Sequence, residues 1–323
     1  MDALLRPSDD PRANRDPSPA EEAGGLAVVI VTYNSEEVLP GLLDSLADGL
    51  EGLARRDVIV VDNDSRDASV ELARAHPFGV RVIEMGRNAG FAAGINAAAA
   101  TIDEDMHLLV LNPDIRLHRG AGAYLAARLS DPSIGVVAPQ MLNEDGTLAQ
   151  SLRREPSLLT AWADALVGTR LAARLGIGEI VADPVLYRTG GTVAWATGAA
   201  LGVSARTRSV VGDWDDSFFL YSEEVDYMQR VRQAGFAVVY DTQAHTTHIG
   251  GAYHNDPFLS ALMTTNRIRY FRRHHGPVAT ALFRLSIIVG ETMRMRLGAG
   301  HRAALRAALT APLRQPGYGA PNR

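Results

Sequence analysis

The chain has 323 residues, 46% of them hydrophobic, and a formal net charge of -5 at pH 7, so it can bury a large core and lacks the basicity expected of a nucleic-acid-binding protein. It contains no cysteine, and its 32 basic residues are all arginine. Disulfides, thiol nucleophiles, P-loop lysines and Schiff-base lysines are therefore excluded.

The first 24 residues are rich in Pro, Asp, Arg and Ala and offer little to bury. This composition predicts a disordered segment over residues 1–24. The segment also lacks the apolar centre of a signal peptide, and we expect a cytoplasmic protein. The absence of cysteine agrees with a reducing compartment.

Apolar runs alternate with helical patterns from residue 26 onward. Residues 26–33, 58–61 and 80–83 are predicted strands, and residues 38–50 carry apolar side chains at helical spacing. Such an alternation predicts an α/β fold with a parallel sheet and right-handed crossovers. No G-x-G-x-x-G follows the first strand, so a dinucleotide-binding Rossmann domain is not expected.

A fourth predicted strand, residues 108–111, ends in Asn112, Pro113 and Asp114. Pro113 cannot donate a hydrogen bond to a neighbouring strand, so the strand must stop there. Asp114 therefore stands at the carboxyl end of a central strand, the edge at which open α/β sheets bind their ligands. Capping of a helix is the alternative role for this aspartate.

Two further stretches at strand ends carry candidate ligand groups. Residues 62–65, Asp-Asn-Asp-Ser, could hold a ligand hydroxyl or cap the next helix. Residues 86–94 are rich in glycine and include Arg87 and Asn88. Glycines here permit close backbone approach and leave free amides at a helix start, as in sites that bind diphosphates. A plain tight loop is the alternative.

The pattern changes in the second half of the chain. Residues 135–138 predict one more strand, and residues 155–185 contain a helical stretch and a loop. After residue 190 the segments are short, which predicts a mixed arrangement rather than another strand–helix–strand repeat. Residues 236–240 predict a last strand, and His248 beyond it is either a satisfied loop histidine or a metal ligand.

Three acids stand close together just after Ser222. This serine can cap a helix whose first turn holds Glu223, Glu224 and Asp226, and the helix dipole favours acids there. Clustered carboxylates also raise one another's pKa, which is how a general base is tuned. The pattern leaves both roles open.

The chain from Arg267 onward carries eleven arginines and one acid, Glu291, so this segment has a charge of +10 and the remainder -15. Its apolar run, residues 278–289, is interrupted by Arg284 and is too short to span a bilayer. The pattern predicts a basic amphipathic helical tail over residues 266–323 that lies on an anionic membrane surface. A solvated helix packed on the domain is the alternative.

Seven short motifs follow one another in the order found in family 2 glycosyltransferases. They are residues 31–34, 61–65, 87–91, 112–114, 197–199, 221–226 and 248–251. With these motifs the chain resembles family 2 glycosyltransferases of the GT-A fold, and among them the bacterial rhamnosyltransferase-like group. The resemblance implies a mixed, mainly parallel sheet flanked by helices, in a catalytic domain over residues 25–265 that precedes the basic helical tail.

The resemblance also implies an inverting transfer of a sugar from a nucleotide-diphosphate donor, either dTDP-rhamnose or a UDP-sugar, with Mn²⁺ or Mg²⁺. Asn112 and Asp114 match the family's Asp-x-Asp motif with its first acid replaced, and His248 matches its third metal position. Asp114 and His248 are thus the expected metal ligands. Glu224 matches the catalytic base, an Asp in the family. Two neighbouring acids could share that role, Glu223 and Asp226.

The same resemblance assigns residues to the two substrates. Donor contacts are expected from strand ends and from the glycine-rich loop, at Thr32, Tyr33, Asn34, Asp62, Asn63, Arg87, Asn88, Gly90, Asn112 and Asp114. Acceptor contacts are expected from Trp195, Thr197 and Gly198.

The expected acceptor is a glycan or a polyprenyl-linked sugar of cell-envelope synthesis. The protein is expected at the inner face of the cell membrane as a peripheral protein, with a homodimer as an open alternative to the monomer. A nucleotidyltransferase that makes sugar nucleotides is the competing function, although those enzymes use a glycine-rich loop with lysines that this chain lacks. A non-catalytic, membrane-associated protein that binds sugar nucleotides is a third interpretation.

Overall fold

The structure is a computed structural model that describes residues 25–250 and 256–310. The segment predicted to be disordered, residues 1–24, lies outside the described residues, as do residues 251–255 and 311–323. The greater part of the predicted catalytic domain and of the predicted tail lies within them.

Strands and helices alternate along the described part of the chain. The strands are β1 (Leu26–Thr32), β2 (Arg56–Asp62), β3 (Arg81–Glu84), β4 (His107–Leu111), β5 (Ile115–Leu117), β6 (Ile134–Asn143), β7 (Leu152–Arg153), β8 (Gly191–Thr192), β9 (Trp195–Ala196), β10 (Ala200–Val203) and β11 (Ala237–His248). The helices are α1 (Leu39–Gly49), α2 (Ser69–Ala75), α3 (Phe91–Ala99), α4 (Ala121–Leu129), α5 (Leu158–Val167), α6 (Thr169–Arg174), α7 (Pro184–Thr189), α8 (Ala205–Val211), α9 (Glu223–Gln233), α10 (Pro257–His274), α11 (Pro277–Arg294) and α12 (Ala299–Thr310).

A nine-stranded sheet forms the centre of the molecule, in the order β3-β2-β1-β4-β10-β6-β11-β5, with β8 paired to β11. Strands β1 to β4 run parallel, as the alternation of strands and helices predicts. The sheet becomes mixed where β10 lies antiparallel between β4 and β6. A second sheet pairs β7 with β9. The predicted mixed α/β fold is therefore confirmed.

Helices cover both faces of this sheet, which explains why β1 is buried along its whole length. On one face α3 and α9 pack through Ile95 and Met228. On the other face α1 and α4 pack through Leu42 and Leu125. Each such aliphatic side chain contributes about 1.5–3 kcal/mol when it is fully buried. The two apolar layers hold the carboxyl ends of β1, β2 and β4 together at one edge of the sheet.

The last strand is longer than the sequence predicts. The strand expected over residues 236–240 continues as β11 to His248. A register shift between Asp241 and His245 separates its two halves. The Asp241 carboxylate accepts hydrogen bonds from the backbone N–H groups two and three residues later, at 2.7 and 3.2 Å, and so stabilises the irregularity. His248 therefore stands at the end of a strand and not in a loop.

The first tail helix is joined closely to the catalytic domain. The boundary expected at residue 266 falls inside α10. The Asn266 side-chain amide donates hydrogen bonds to the backbone carbonyls of Phe218 and Leu220, at 2.7 and 2.9 Å. Arg267 next to it forms an ion pair with Glu179 at 2.6 Å. A boundary at residue 266 thus cuts through a helix whose contacts belong to the domain core.

The remaining helices form a layer beside α5 and α10. Phe271 of α10 stacks on Phe283 of α11 with ring centroids 4.0 Å apart, and Ala161 of α5 joins the same cluster. Ile268 of α10 packs with Ala308 of α12. Within residues 25–250 and 256–310, no helix combines the length and the apolar character needed to cross a membrane.

Candidate active site

The carboxyl ends of β1 and β2 bring two predicted donor residues into contact. The Thr32 hydroxyl donates a hydrogen bond to Asp62 Oδ1 at 3.1 Å, and the backbone N–H of Ser65 donates to Asp62 Oδ2 at 2.9 Å. Both Thr32 and Asp62 are buried. The Asp62 carboxylate is therefore held in one orientation, and its remaining lone pairs are available to a polar ligand.

The two loops that follow these strands are joined through Asn34. This residue has a left-handed backbone, with φ of 50°. Its N–H donates to the Ser65 hydroxyl at 2.9 Å, and its side-chain oxygen accepts from the backbone N–H of Arg66 at 2.8 Å. The neighbouring ring of Tyr33 is 46% exposed. A flat, accessible ring beside a fixed carboxylate can stack on the base of a nucleotide.

The glycine-rich loop differs from the expectation of a diphosphate cradle. Gly90 has φ of 93°, and a Cβ on it would lie 2.4 Å from the Phe219 carbonyl oxygen. The Gly90 N–H donates to the Asn88 side chain at 3.2 Å, and the Phe91 N–H donates to that Phe219 oxygen at 2.7 Å. Asn63 donates to the Gly90 carbonyl. The backbone amides of Gly90 and Phe91 are therefore not free, and the expectation of free amides is wrong for these two. Because Gly90 has no side chain, the backbone of Phe219 approaches it closely.

Asp114 and His248 meet because β5 pairs with β11, with Ile115 opposite His248. The Asp114 Oδ2 atom lies 3.0 Å from His248 Nε2. Its other oxygen, Oδ1, is buried and has no hydrogen-bond partner. A buried carboxylate oxygen without a partner costs about 1–3 kcal/mol or more. A bound ligand that coordinates or donates to Asp114 would remove that cost.

A cleft of about 670 Å³ opens beside this pair. Asn112 and His248 contribute to its wall, and all three predicted acceptor residues line it, namely Trp195, Thr197 and Gly198. Glu223 and Glu224 at the start of α9 line it too. A Cβ on Gly198 would lie 3.5 Å from the Glu224 Cβ, so this glycine is directly beside the acid. The cleft thus brings together His248, the predicted acceptor residues and the two glutamates. Arg87, a predicted donor residue, is exposed on the glycine-rich loop.

Burial sets the protonation of the two glutamates. It raises the pKa of Glu224 to about 7. It raises the pKa of Glu223 well above its usual range, and the neighbouring Glu224 carboxylate raises it further. Each side chain has a buried Oε2 without a hydrogen-bond partner. A carboxylate with a pKa near 7 that faces a cleft has the properties of a general base.

Residues 27–181 match the sequence model of glycosyl transferase family 2. The match confirms the predicted resemblance to family 2 glycosyltransferases. The chain is 29% identical over 234 residues, 69% of its length and 75% of the relative's, to N-acetylglucosaminyl-diphospho-decaprenol L-rhamnosyltransferase of Mycobacterium tuberculosis. It is 25% identical over 238 residues, 72% of its length and 67% of the relative's, to the low-salt glycan biosynthesis hexosyltransferase Agl10 of Haloferax volcanii.

Solved structures share the fold of this glycosyltransferase. A mannosyltransferase from Pyrobaculum calidifontis, in complex with GDP-Man and Mn²⁺, superposes with a TM-score of 0.55 at 16% identity, over 92% of this chain and 76% of that one. A mycobacterial protein gives a TM-score of 0.52 at 16% identity, over 80% of both chains. The GT-A type of fold implied by the motifs is therefore confirmed.

One predicted catalytic residue of the glycosyltransferase lies away from the cleft. Asp226 forms ion pairs with Arg230 at 2.9 Å and with Arg273 at 3.2 Å, and it is buried beside them. It is on the opposite side of α9 from Glu224. The structure brings Glu223 and Glu224 to the cleft and does not bring Asp226 there.

The segment before α9 is strained. Phe219, Tyr221 and Ser222 all have positive φ, at 67°, 69° and 75°. Such conformations cost roughly 1–3 kcal/mol each and persist where surrounding contacts enforce them. The hydrogen bonds from Asn266 are among those contacts. Ser222 occupies the N-cap position as predicted, but its side chain caps nothing because the left-handed backbone directs it elsewhere.

Two residues of the site escaped the sequence interpretation. Asn266 falls within the predicted tail, yet its side chain donates hydrogen bonds to the strained segment before α9. An asparagine inside a helical pattern gives no sign of such a role. Arg153 lines the cleft at the end of β7. Its only signal was the Arg153–Arg154 pair in a region otherwise poor in motifs.

Proposed function

We propose that the chain is an inverting glycosyltransferase that moves a sugar from a nucleotide-diphosphate donor, dTDP-rhamnose or a UDP-sugar, to a glycan or a lipid-linked acceptor of cell-envelope synthesis. The observation that carries the proposal is that Glu224 and His248 line one cleft and that His248 contacts Asp114. The names of the relatives support the substrate classes, because one is a rhamnosyltransferase of N-acetylglucosaminyl-diphospho-decaprenol and the other a hexosyltransferase of glycan biosynthesis.

In this mechanism Glu224 takes the proton from an acceptor hydroxyl held near Trp195 and Gly198. The hydroxyl oxygen attacks the anomeric carbon of the donor from the face opposite the departing diphosphate, so the configuration is inverted. A pKa of about 7 keeps much of Glu224 ionised at neutral pH and still gives it the basicity to accept a proton. Burial and the neighbouring Glu224 carboxylate hold the pKa of Glu223 well above its usual range, which disfavours its charged form.

The donor would extend from the Thr32–Asp62 pair to the Asp114–His248 pair. Asp62 would accept hydrogen bonds from the base, and Tyr33 would stack on it. Asp114 and His248 fit a divalent cation, because carboxylate oxygen and imidazole nitrogen are both ligands of Mn²⁺. The described residues contain no group of three or more His, Cys, Asp or Glu side chains around a common point, so the remaining ligands would come from the diphosphate and water. The cation would neutralise charge on the leaving diphosphate.

A donor panel tests the proposal. Incubation with an N-acetylglucosaminyl diphosphate carried on a short prenyl chain should release a nucleoside diphosphate from one donor, and excess EDTA should lower the rate by roughly tenfold or more because the leaving-group charge is no longer neutralised. Added Mn²⁺ should restore it. Release of inorganic pyrophosphate from a nucleoside triphosphate and a sugar 1-phosphate would instead identify a nucleotidyltransferase, and donor binding without release would identify a sensor.

We extend the proposal to a peripheral position on the membrane, because α5 and α11 share an apolar surface. Asp164 of α5 and Glu291 of α11 line the cleft, and Ala161 of α5 packs against α11. Other side chains of these two helices do not line the cleft and are large, apolar and 41–75% exposed. We name them the apolar ridge: Leu159, Leu166, Val278, Leu282, Leu285 and Met293.

Exposed arginines stand at one end of the apolar ridge. Arg294 donates to the backbone carbonyls of Asp164 and Ala165, which ties the end of α11 to the end of α5. Three exposed basic residues follow these ends, Arg170, Arg174 and Arg296. The other tail arginines contribute less than their number predicts, because Arg267, Arg273 and Arg284, for example, are engaged by carboxylates or carbonyls. Apolar side chains beside free arginines suit an anionic lipid surface.

Flotation of the protein with vesicles tests this surface. We expect flotation with anionic vesicles at low salt, partial detachment at high salt, and loss of binding in the Leu282→Glu, Leu285→Glu double variant, since charged side chains cannot enter the lipid interface. The control is Leu309→Glu, at an exposed leucine outside the ridge. Equal flotation of all three proteins would contradict the assignment. A ridge covered by a second copy would appear as a dimer in sedimentation that the double variant dissociates.

A further inference from the structure

Arg153 is a cleft-lining arginine that forms no ion pair with the residues that the structure describes. Its Nη1 donates hydrogen bonds to the backbone carbonyls of Gln150 and Leu152, at 2.6 and 3.0 Å. Its guanidinium carbon lies 5.9 Å from the centre of the Trp195 ring. No carboxylate in residues 25–250 or 256–310 approaches it within the 4.0 Å of an ion pair. Two backbone carbonyls and an aromatic ring therefore fix a guanidinium whose Nε and Nη2 donors stay free for a ligand.

The other arginines of the cleft are occupied. Arg267 is paired with Glu179 at 2.6 Å. Arg294 directs both of its terminal nitrogens at backbone carbonyls. Leaving a partly buried guanidinium without an anion has a cost, because desolvation disfavours the charge and burial lowers the pKa of Arg153. Arg153 therefore differs from its neighbours in having hydrogen-bonding capacity that nothing in the described protein uses.

The position of Arg153 relates it to the acceptor and not to the donor. It stands with Trp195 and near Glu224, whose pKa its charge lowers. The donor diphosphate is assigned to the Asp114–His248 pair, whereas Arg153 contacts the ring of Trp195, one of the predicted acceptor residues. An uncharged sugar hydroxyl held for attack needs no cation beside it, whereas a phosphate attached to the acceptor sugar does.

We propose that Arg153 binds a phosphate group on the acceptor, so that the acceptor is a glycosyl phosphate or diphosphate and not a neutral glycan. The inference rests on the proposed glycosyl transfer and specifies its acceptor. The planar guanidinium fork matches two phosphate oxygens, and the two carbonyl contacts and Trp195 hold the fork in place before the acceptor arrives. The phosphate can belong to a lipid-linked sugar or to a free sugar phosphate, and both present the same group.

The test compares three acceptor probes with wild-type protein and the Arg153→Gln, Arg153→Lys and Arg188→Gln variants. The probes are an N-acetylglucosaminyl diphosphate on a short prenyl chain, N-acetylglucosamine 1-phosphate and the neutral octyl N-acetylglucosaminide. We expect Arg153→Gln to raise the KM of the diphosphate probe about 10–100-fold, as for loss of a charge-assisted hydrogen bond. Its KM for the neutral probe and for the donor should stay within roughly twofold.

The control variants sharpen the comparison. Arg153→Lys keeps the charge but not the fork, so it should recover part of the lost affinity. Arg188→Gln removes an exposed arginine of α7 that does not line the cleft and should change none of the three KM values. A similar Arg153→Gln effect on the sugar phosphate and the prenyl diphosphate would show that phosphate alone is recognised. An effect confined to the prenyl diphosphate would show that the lipid-linked form is the ligand.

Two results would overturn the proposal. Equal losses with phosphorylated and neutral probes, with the pH–rate profile displaced upward, would mean that Arg153 acts through Glu224. Unchanged KM values with all probes would mean that it only packs on Trp195. Calorimetric titration of the same probes measures binding without sugar transfer. If the protein transfers no sugar but Arg153→Gln still loses affinity for the phosphorylated probes alone, the proposed function is refuted and the phosphate site at Arg153 is retained.

Discussion

Replacing Glu224 with Gln is expected to lower the turnover number roughly a hundredfold or more while the affinity for the sugar donor stays unchanged. The amide has nearly the shape of the carboxylate but cannot accept the proton of the acceptor hydroxyl. Donor affinity is assigned to other residues, among them Asp114 and His248. Steady-state rates of nucleoside diphosphate release, together with donor titration by calorimetry, separate the two effects.

Glu223→Gln is the matched control for this substitution, because the two glutamates are adjacent at the start of α9 and both line the cleft. Burial and the neighbouring Glu224 carboxylate hold the pKa of Glu223 well above its usual range, which disfavours its charged form, so replacement by the neutral amide should change little. Glu223→Gln is thus expected to lose much less activity. The reverse order of the two losses would identify Glu223 as the base.

The pH dependence follows from the same burial. Glu224 must be ionised to accept a proton, so the rate should rise with pH through a midpoint of about 7, and this limb should be absent from the residual activity of Glu224→Gln. Stability should change in the opposite direction. The raised pKa means that the folded state holds its proton longer than the unfolded state, so stability falls as pH rises from about 4.5 to about 7. Glu224→Gln should therefore melt above the wild type at pH 8.

The sequence predicted the first half of the fold well because its signals are local. β1 and β4 are buried along their whole length, so each reads as an uninterrupted apolar run. Pro113 marks the end of β4 without any knowledge of tertiary structure. Once the strands are known to be parallel, their carboxyl ends must meet, and this brings Thr32, Asp62 and Asn112 to one edge.

The features that escaped prediction depend on partners distant in the sequence. Gly90 reads as part of a phosphate loop, yet the backbone it admits belongs to Phe219. Asp226 is two residues from Glu224 and was therefore expected to share its catalytic role, but Arg273 of α10 forms an ion pair with it. The predicted tail looked separable because of its charge, whereas several of its arginines meet carboxylates and carbonyls of the domain. Local pattern cannot reveal such pairings, because either partner alone is compatible with many structures.

Asp114→Ala is expected to abolish metal-dependent donor binding while the fold is kept. Among the described residues Asp114 Oδ1 has no hydrogen-bond partner and Oδ2 contacts His248, so the substitution removes ligand-binding capacity with few structural contacts. Calorimetry should show tight donor binding in Mn²⁺ for the wild type and a loss of about tenfold or more for the variant, because the diphosphate charge is no longer balanced through this residue. Unchanged affinity for donor and Mn²⁺ would refute the metal site.

Asn112→Asp supplies the complementary test. This asparagine stands in the cleft wall where the family's motif has an acid, two residues before Asp114. A second carboxylate adds a hard oxygen ligand and a negative charge, and both favour a divalent cation. We expect Asn112→Asp to bind Mn²⁺ more tightly than the wild type in the absence of donor, and to lose that gain when Asp114 is also replaced by Ala. A gain that survives the double substitution would locate the cation elsewhere, and the Asp114–His248 pair would then serve only to close the carboxyl end of β4 against β11.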